Sequence, residues 1–268
     1  MRLSELPRPD AAAQAASRAL VERIEVDLRT RGNWISFARY MELALYEPRY
    51  GYYAAAGAQF GRAGDFVTAP ELSPLYARTL ARQLAALLQP GDAVLEFGAG
   101  SGALAAQLCD ELAALGAGPR AYLILETSRV LRERQRERLG ARAQWLERLP
   151  AGFRGVMLAN EVADAMPVHA LAWTRSGINE RGVCVNEGEL AWCERPAAGE
   201  VLAAARQIEI DLPPSGRYES ELALAAPAWV RALGAVLERG AIFVIDYGFP
   251  RREYYHPQRS MGTLMCHY

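Results

Sequence analysis

The segment from Asp92 to Gly102 constrains the fold more than any other part of this chain. A short apolar run ends at the acidic residue Glu96, and glycines then occupy positions 98, 100 and 102 before a helix-forming stretch. Glycine lets the backbone turn tightly and approach a ligand, because there is no Cβ in the way. The N–H groups at the start of the next helix can hold a polar or anionic group. The segment therefore predicts a strand, a ligand-binding loop and a helix, with an ordinary strand-to-helix turn as the alternative.

The spacing of these glycines indicates the kind of ligand. Nicotinamide dinucleotide sites prefer G-x-G-x-x-G, but this chain reads E-x-G-x-G-x-G. The pattern resembles the first motif of S-adenosylmethionine-dependent methyltransferases, whose ligand carries a ribose and an amino-acid tail but no pyrophosphate. An oxidoreductase on a dinucleotide fold remains a weaker alternative.

Composition limits the protein class. The 268 residues are 51% hydrophobic and 23% charged, with a net charge of −1, so we expect no nucleic-acid partner and no membrane insertion. All 30 basic residues are arginine, which we interpret as the coding bias of a GC-rich bacterial genome. No C-x-x-C pair and no zinc-ligand spacing occurs, so we predict no metal. The cysteines are typical of reduced thiols, and the N-terminal residues lack the apolar core of a signal peptide. We therefore expect a cytoplasmic protein.

Alternating strand and helix patterns predict an α/β fold with a mostly parallel, Rossmann-like sheet. We predict an N-terminal helical arm with a lid loop (1–72), a ligand-binding core (73–167), a β-rich insertion (168–217) and the remainder of the core (218–268). Within these segments we expect helices at 11–29, 74–88, 103–115, 128–139 and 219–238, a further helix capped by Ser36, and core strands at 93–97, 121–126, 144–146, 155–159 and 241–246. In the insertion, a hairpin turn is predicted at 186–188.

The end of the predicted sheet is unusual. A methyltransferase sheet of this type has seven strands, whereas we count five core strands. We therefore expect the C-terminal strands to be missing through truncation, or residues 260–268 to supply an unconventional edge.

Two groups of polar residues follow predicted core strands. Glu126 ends the second strand, 24 positions after Gly102, where a carboxylate can accept hydrogen bonds from ribose hydroxyls; the alternative is a carboxylate that only interacts with the following helix dipole. Asn160 and Glu161 end the strand at 155–159, with Asp164 three residues on. We predict that these three orient the nucleophile or the sulfonium and accept a proton, although Asp164 is also typical of a helix cap.

The loop from Gly61 to Glu71 is rich in polar residues and is flanked by aromatic ones. We predict a lid that folds over the ligand and excludes water. A surface loop feeding the helix at 74–88 is the alternative.

Several stretches together resemble the MidA family of S-adenosylmethionine-dependent methyltransferases. The resemblance rests on Met41–Tyr46 with Gly51-Tyr-Tyr53, Gly64–Glu71, Glu96–Gly102, Asn160–Asp164 with Pro167-Val168, and Ile245–Gly248. The chain departs from the family pattern at Ala163 and Met166, where an aromatic residue and a leucine are usual. The family includes a mitochondrial complex I assembly protein that methylates an arginine.

The resemblance implies a class I methyltransferase fold, S-adenosyl-L-methionine as cofactor, and a protein substrate, with an NADH dehydrogenase core subunit as the expected partner. It assigns the cofactor loop to Gly98, Gly100 and Gly102, the ribose contact to Glu126, and the methyl side to Asn160, Glu161 and Asp164. The complete predicted cofactor-binding set is Gly64, Asp65, Thr68, Glu96, Gly98, Ala99, Gly100, Gly102, Glu126, Thr127 and Asn160. The predicted catalytic set is Asn160, Glu161, Asp164 and Glu71. A cofactor-binding assembly factor without turnover and a small-molecule methyltransferase remain alternative functions.

Overall fold

A computed structural model describes residues 9–53 and 69–264 of the chain. Contacts divide the chain into two compact units. The core unit comprises Tyr52–Ala165 and Ala226–Tyr247, and the accessory unit comprises Met1–Gly51, Met166–Ala225 and Gly248–Tyr268. The N-terminal helices therefore belong with the β-rich segment, whereas the sequence grouped them with the lid loop.

The described residues form nine helices and ten strands, besides short 3-10 turns. The helices are α1 (Ala11–Thr30), α2 (Phe37–Tyr46), α3 (Ala69–Leu72), α4 (Pro74–Leu87), α5 (Ala103–Ala114), α6 (Arg129–Leu139), α7 (Gly199–Ala205), α8 (Ala225–Val236) and α9 (Arg251–Tyr254). The strands are β1 (Ile35–Ser36), β2 (Ala93–Phe97), β3 (Ala121–Leu125), β4 (Gln144–Leu146), β5 (Phe153–Asn160), β6 (His169–Thr174), β7 (Gly177–Asn186), β8 (Glu189–Pro196), β9 (Arg217–Leu222) and β10 (Leu237–Ile245).

The core unit is built on a five-stranded parallel sheet in the order β10-β5-β2-β3-β4. The predicted α/β fold and its five core strands are confirmed. Every residue of β2 is buried, as expected for a strand covered on both faces. One face packs with α4 and α5, through residues such as Leu84 and Leu108. The other packs around Leu95, Met157 and Leu233, the last from α8.

Glycine allows β5 to approach β2 closely, and β10 to approach β5 closely. A Cβ at Gly155 would lie 1.9 Å from the carbonyl oxygen of Ala93, and one at Gly240 would lie 1.7 Å from the carbonyl oxygen of Gly155. Both glycines have φ near +130°, a region that other residues rarely adopt. A side chain at either position would force these paired strands apart.

The accessory unit has an antiparallel sheet in the order β1-β7-β6-β9, and β8 pairs with β7. The predicted hairpin is confirmed: Asn186 pairs with Glu189, and Glu187 and Gly188 have φ of 52° and 85°. Two consecutive residues with positive φ are typical of the type I′ turn, whose twist matches that of the two strands it joins. Among the described residues, no helix has both the length and the apolar character needed to cross a membrane.

Two sequence predictions need correction. The segment 219–238 was predicted as one helix, but it begins inside strand β9 and becomes helical only at α8. Residues 260–268 were considered as an edge of the core sheet. In the described part of that segment Met261 instead bridges Glu219 of β9, so it joins the accessory sheet.

Candidate active site

The candidate site lies at one edge of the core sheet. Strands β2, β3, β5 and β10 run parallel, so their carboxyl ends share this edge, where ligands bind in open α/β sheets. The glycine loop, Glu126, and the Asn160-Glu161 pair follow three of these strands, as predicted. Asp246 follows the fourth strand, and the sequence had given it no role.

The glycine loop turns through left-handed backbone conformations. Gly98, Gly100 and Gly102 have φ of 57°, 52° and 76°. Left-handed geometry costs other residues about 1–2 kcal/mol each. Gly98 N–H donates to the carbonyl of Leu125 at 3.0 Å, and Gly102 caps the start of α5. The loop is therefore fixed between β3 and α5, with Ala99 buried beneath it.

Glu96 is a buried acid just before this loop. Its side chain is 2% exposed, and the Tyr122 hydroxyl donates to it at 2.6 Å. Burial raises the pKa of Glu96 to about 7; the Tyr122 hydrogen bond opposes this rise, and the charge of Glu126 adds to it. The carboxyl group therefore changes its charge near neutral pH.

Glu126 is an acceptor held in place by hydrogen bonds. One carboxylate oxygen accepts from the backbone N–H of Ser128 at 2.9 Å, and the other from Nε2 of Gln135 at 2.9 Å. Burial raises the pKa of Glu126, whereas hydrogen bonds from Ser128, Gln135 and the backbone of Thr127 lower it. Since each carboxylate oxygen has further acceptor capacity, Glu126 can still accept from two ligand hydroxyls.

Gln135 was missed by the sequence prediction. Its Nε2 also donates to the carbonyl of Gly100 at 2.9 Å, and its Oε1 accepts from the indole N–H of Trp145 at 3.0 Å. The arginine- and glutamate-rich sequence of α6 is typical of a solvated helix face. A signal was nevertheless present, because Leu131, Gln135 and Leu139 form the buried stripe of α6 at spacings of four.

The end of β5 has a strained backbone. Glu161 has φ of +53°, which is uncommon for a residue other than glycine, and such outliers cluster at functional sites. Its N–H donates to the carbonyl of Ile245 at 2.8 Å, which ties it to β10. Beside it, the carboxamide oxygen of Asn160 accepts a hydrogen bond from the Tyr76 hydroxyl.

Asp246 and Tyr247 complete this corner of the site. One carboxylate oxygen of Asp246 accepts the backbone N–H groups of Ala163 and Asp164, at 2.9 and 3.1 Å. The Tyr247 hydroxyl donates to the carboxylate of Asp164. In the sequence, the motif Ile245–Gly248 contributes only to the family resemblance. Its acidic residue holds the turn that presents Asp164.

The carboxyl groups here repel each other. Burial raises the pKa of Glu161, and the charges of Asp164 and Asp246 add to the rise. Partial desolvation likewise raises the pKa of Asp164, opposed by the Tyr247 hydrogen bond. Burial and the charges of Asp164 and Glu161 raise the pKa of Tyr53 to about 12, so its hydroxyl stays protonated. The corner is therefore suited to a cation or to accepting a proton.

Glu71 lies at the glycine loop. Its carboxylate accepts from the Ser101 hydroxyl at 2.6 Å, and Arg138 donates to the same hydroxyl at 3.0 Å. A catalytic role for Glu71 stays a prediction.

Gly64, Asp65 and Thr68, together with most of the predicted lid, lie outside the described residues. Within residues 9–53 and 69–264, no three His, Cys, Asp or Glu side chains cluster as metal ligands.

Known proteins resemble the chain in sequence and in fold. Residues 75–268 match a protein family described as "Putative S-adenosyl-L-methionine-dependent methyltransferase". A COG1565 superfamily member from Burkholderia thailandensis, whose crystal structure contains S-adenosyl-homocysteine, is 48% identical with a TM-score of 0.90. The match covers 98% of this chain and 71% of that one.

Curated relatives are more distant. The protein arginine methyltransferase NDUFAF7, mitochondrial, of Danio rerio is 28% identical over 255 residues, and its counterpart of the same name in Mus musculus is 26% identical over 257. Each match covers 80% of this chain. The chain spans only 58% of the zebrafish protein and 56% of the mouse protein.

Proposed function

The chain belongs to the MidA family of S-adenosyl-L-methionine-dependent methyltransferases, and on that premise we propose that it methylates an arginine side chain of a protein. The cofactor of this family supplies a methyl group bound to a positively charged sulfur. The described residues fit such a ligand: three left-handed glycines leave room for a close approach, and the buried Glu126 carboxylate can accept from ribose hydroxyls.

One observation carries the choice of acceptor. Glu161 and Asp164 lie at the end of the same strand. The charges of neighbouring acidic residues contribute to the raised pKa of each carboxyl group. A guanidinium group is a planar cation that pairs well with carboxylates. The names of the curated relatives, which describe protein arginine methyltransferases, support the same acceptor.

The acidic pair also answers the main chemical difficulty. Arginine is a poor nucleophile, because its pKa exceeds about 12. Carboxylates that hold its charge on one nitrogen leave another nitrogen free to attack the methyl carbon in line. The carbon–sulfur bond then breaks, its electrons stay on sulfur, and the proton of the attacking nitrogen passes to Glu161 or Asp164 and then to water. Alignment of the two reactants can contribute up to about 7–11 kcal/mol.

The family resemblance extends the proposal to the partner. We propose that the acceptor is a core subunit of NADH dehydrogenase, modified in the cytoplasm of a bacterium during assembly of that complex.

Methyl transfer from isotope-labelled cofactor to purified bacterial NADH dehydrogenase core subunits tests the proposal, with methylarginine located by mass spectrometry. We expect Asp164→Asn to keep its affinity for S-adenosyl-homocysteine and to lower turnover by about 10²–10⁴-fold, the range of general-base effects. Asp110→Asn, at an exposed ion pair with Arg142, is the matched control and should retain turnover.

The other outcomes separate the alternatives. Binding of S-adenosyl-homocysteine without methylation of any protein would favour an assembly factor that no longer turns over. Methylation of a small molecule, with proteins left unmodified, would favour a small-molecule enzyme. If the unmodified chain does not bind S-adenosyl-homocysteine at all, the proposed function is wrong.

A further inference from the structure

We propose that Gln135 is a positioning residue that links the glycine loop to the ribose-binding carboxylate, so that both recognise the cofactor as one unit. The proposal rests on the proposed function, because it assumes that Glu126 binds ribose. Gln135 lies on α6, where it contacts Gly100 and Glu126, and need not touch the ligand itself.

The hydrogen bonds of Gln135 join two parts of the site that are far apart in sequence. Its single NH₂ group donates one hydrogen to the carbonyl of Gly100 and the other to the carboxylate of Glu126, both at 2.9 Å. The side chain is completely buried. Since an unpaired buried amide is costly, both acceptors must stay in place, and a shift of either one disturbs the other.

The hydrogen bond from Trp145 shows which way the amide points. Its indole N–H donates to Oε1 of Gln135 at 3.0 Å, and an indole N–H cannot accept. The carboxamide oxygen must therefore face Trp145, which leaves the NH₂ group directed at Gly100 and Glu126. The orientation follows from the partners on all three sides.

Packing limits the movement of α6 against the loop. A Cβ built at Gly102 would lie 3.5 Å from Cγ of Gln135 and 3.6 Å from its Cα. Arg132, one turn before Gln135, donates to the carbonyl of Glu126 at 2.7 Å. The neighbours of Gln135 on the buried stripe, Leu131 and Leu139, are apolar. An apolar side chain could fill this core position without burying a polar group. The two acceptors, Gly100 and Glu126, explain why the position holds a glutamine instead.

The first test uses Gln135→Met, which keeps the length of the side chain and removes its donors. We expect the affinity for S-adenosyl-homocysteine to fall about 10- to 100-fold. We also expect a weaker preference for this ligand over its 2′-deoxyribose analogue, because Glu126 is no longer held. Trp145→Phe is the matched control, because Gly100 and Glu126 offer only acceptors and still direct the NH₂ group of Gln135. Its affinity should stay within about threefold of the unmodified chain.

Gln135→Glu provides a second test if the methionine variant does not fold. In the unmodified chain, affinity should fall as pH falls, because protonated Glu126 loses acceptor capacity. In Gln135→Glu the introduced carboxylate faces that of Glu126, and the two repel each other at high pH. Affinity should therefore fall as pH rises, and it should recover at lower pH, where the two groups share a proton. Glu96 and Arg132 also lie near Glu126 and are present in both proteins, so the test compares the direction of the two pH profiles.

The outcomes distinguish this inference from the proposed function. Failure of the unmodified chain to bind S-adenosyl-homocysteine would contradict the proposed function. If the unmodified chain binds, the inference is wrong in any of three cases: Gln135→Met keeps the full ribose preference, Trp145→Phe loses as much affinity as Gln135→Met, or Gln135→Glu has the pH profile of the unmodified chain.

Discussion

Single backbone angles decide whether the glycine loop can form. Gly100 and Gly116 have φ of 52° and 68°, so valine should cost either position a similar amount, about 1–2 kcal/mol. Only Gly100 lies in the loop, where a shift out of left-handed geometry turns backbone N–H groups away from a ligand. We expect Gly100→Val to lose at least about 100-fold in affinity for S-adenosyl-homocysteine, measured by calorimetry.

Gly116→Val is the matched control for that change. A Cβ at Gly116 meets no described atom within 4 Å, and the residue follows the far end of α5. This variant should show the same loss of thermal stability with unchanged affinity. Equal affinity in the two variants would show that the loop conformation is not what the ligand requires.

Glu96 gives the stability of the chain a dependence on pH. Its pKa is about 7 in the folded chain, against an ordinary value of 4.5. Below pH 4.5 the group is protonated in both the folded and the unfolded chain. As pH rises from 4.5 to 7, the unfolded chain releases this proton while the folded chain keeps it. The free energy of unfolding therefore falls across this window, by on the order of 3 kcal/mol, and the loss is complete above pH 7.

Glu96→Gln should remove this dependence, because an amide does not titrate and its oxygen can still accept from Tyr122. Urea denaturation of the ligand-free proteins at pH 5 and pH 8 measures the effect. We expect the variant to gain stability relative to the unmodified chain at pH 8 and to gain much less at pH 5. Parallel changes in both proteins between these pH values would contradict the assigned titration of Glu96.

Residues whose role follows from chain position were predictable from the sequence, and residues whose role follows from a distant partner were not. Glu126 ends a strand at a fixed interval from a glycine loop, and the structure places it at the expected sheet edge. Asp246 contacts a turn more than 80 residues earlier in the chain. Gln135 contacts Gly100, 35 residues away. No local pattern encodes such separations.

Among the elements, the turn after β5 depends on the side chain of Asp246, which directly follows β10. Asp246→Ala would leave the N–H groups of Ala163 and Asp164 without their acceptor, and would release the turn that follows the strained Glu161. We expect a loss of about 1–3 kcal/mol in the free energy of unfolding, together with slower methyl transfer. Affinity for S-adenosyl-homocysteine should change less than turnover, because the glycine loop and Glu126 are untouched.

Asp246→Asn is the matched control, since its side-chain oxygen can still accept both N–H groups. Denaturant unfolding, calorimetry and single-turnover methylation separate stability, binding and chemistry. The asparagine variant should recover most of the stability and turnover lost in the alanine variant. If both variants lose turnover equally, the charge of Asp246 acts on the reaction directly and its role as an anchor for the turn is refuted.

At the scale of elements, helices with a cap and strands with a simple apolar pattern were predicted well. The start of α4 at Ser73-Pro74 follows the usual cap chemistry. Strand β9 was mistaken for a helix because buried polar residues hide its alternation. Ser220 and Glu221 are both buried, and Glu221 accepts hydrogen bonds from Thr263 and Tyr254. Partners more than 30 residues away satisfy the buried carboxylate of Glu221, and no sequence period reports them.

For the whole molecule, the two units should respond differently to the ligand. The described residues assigned to cofactor binding all belong to the core unit. A ligand that binds only the folded state stabilises it by about 2.7 kcal/mol at a concentration of 100 Kd. Hydrogen exchange of those amides that exchange only when the binding region opens should then become slower by up to about 100-fold. We expect this protection at residues 96–102, 126–135 and 160–164.

Hydrogen exchange with mass spectrometry can follow both units in one experiment, with and without S-adenosyl-homocysteine. Amides of the hairpin formed by β7 and β8 should exchange at the same rate in both samples, because that hairpin belongs to the accessory unit. Gly100→Val with the same ligand is the control, and it should lose the protection of the core segments. Protection of β7 and β8 as strong as that of the glycine loop would mean that the accessory unit also senses the cofactor, and the assignment of binding to the core unit alone would have to be abandoned.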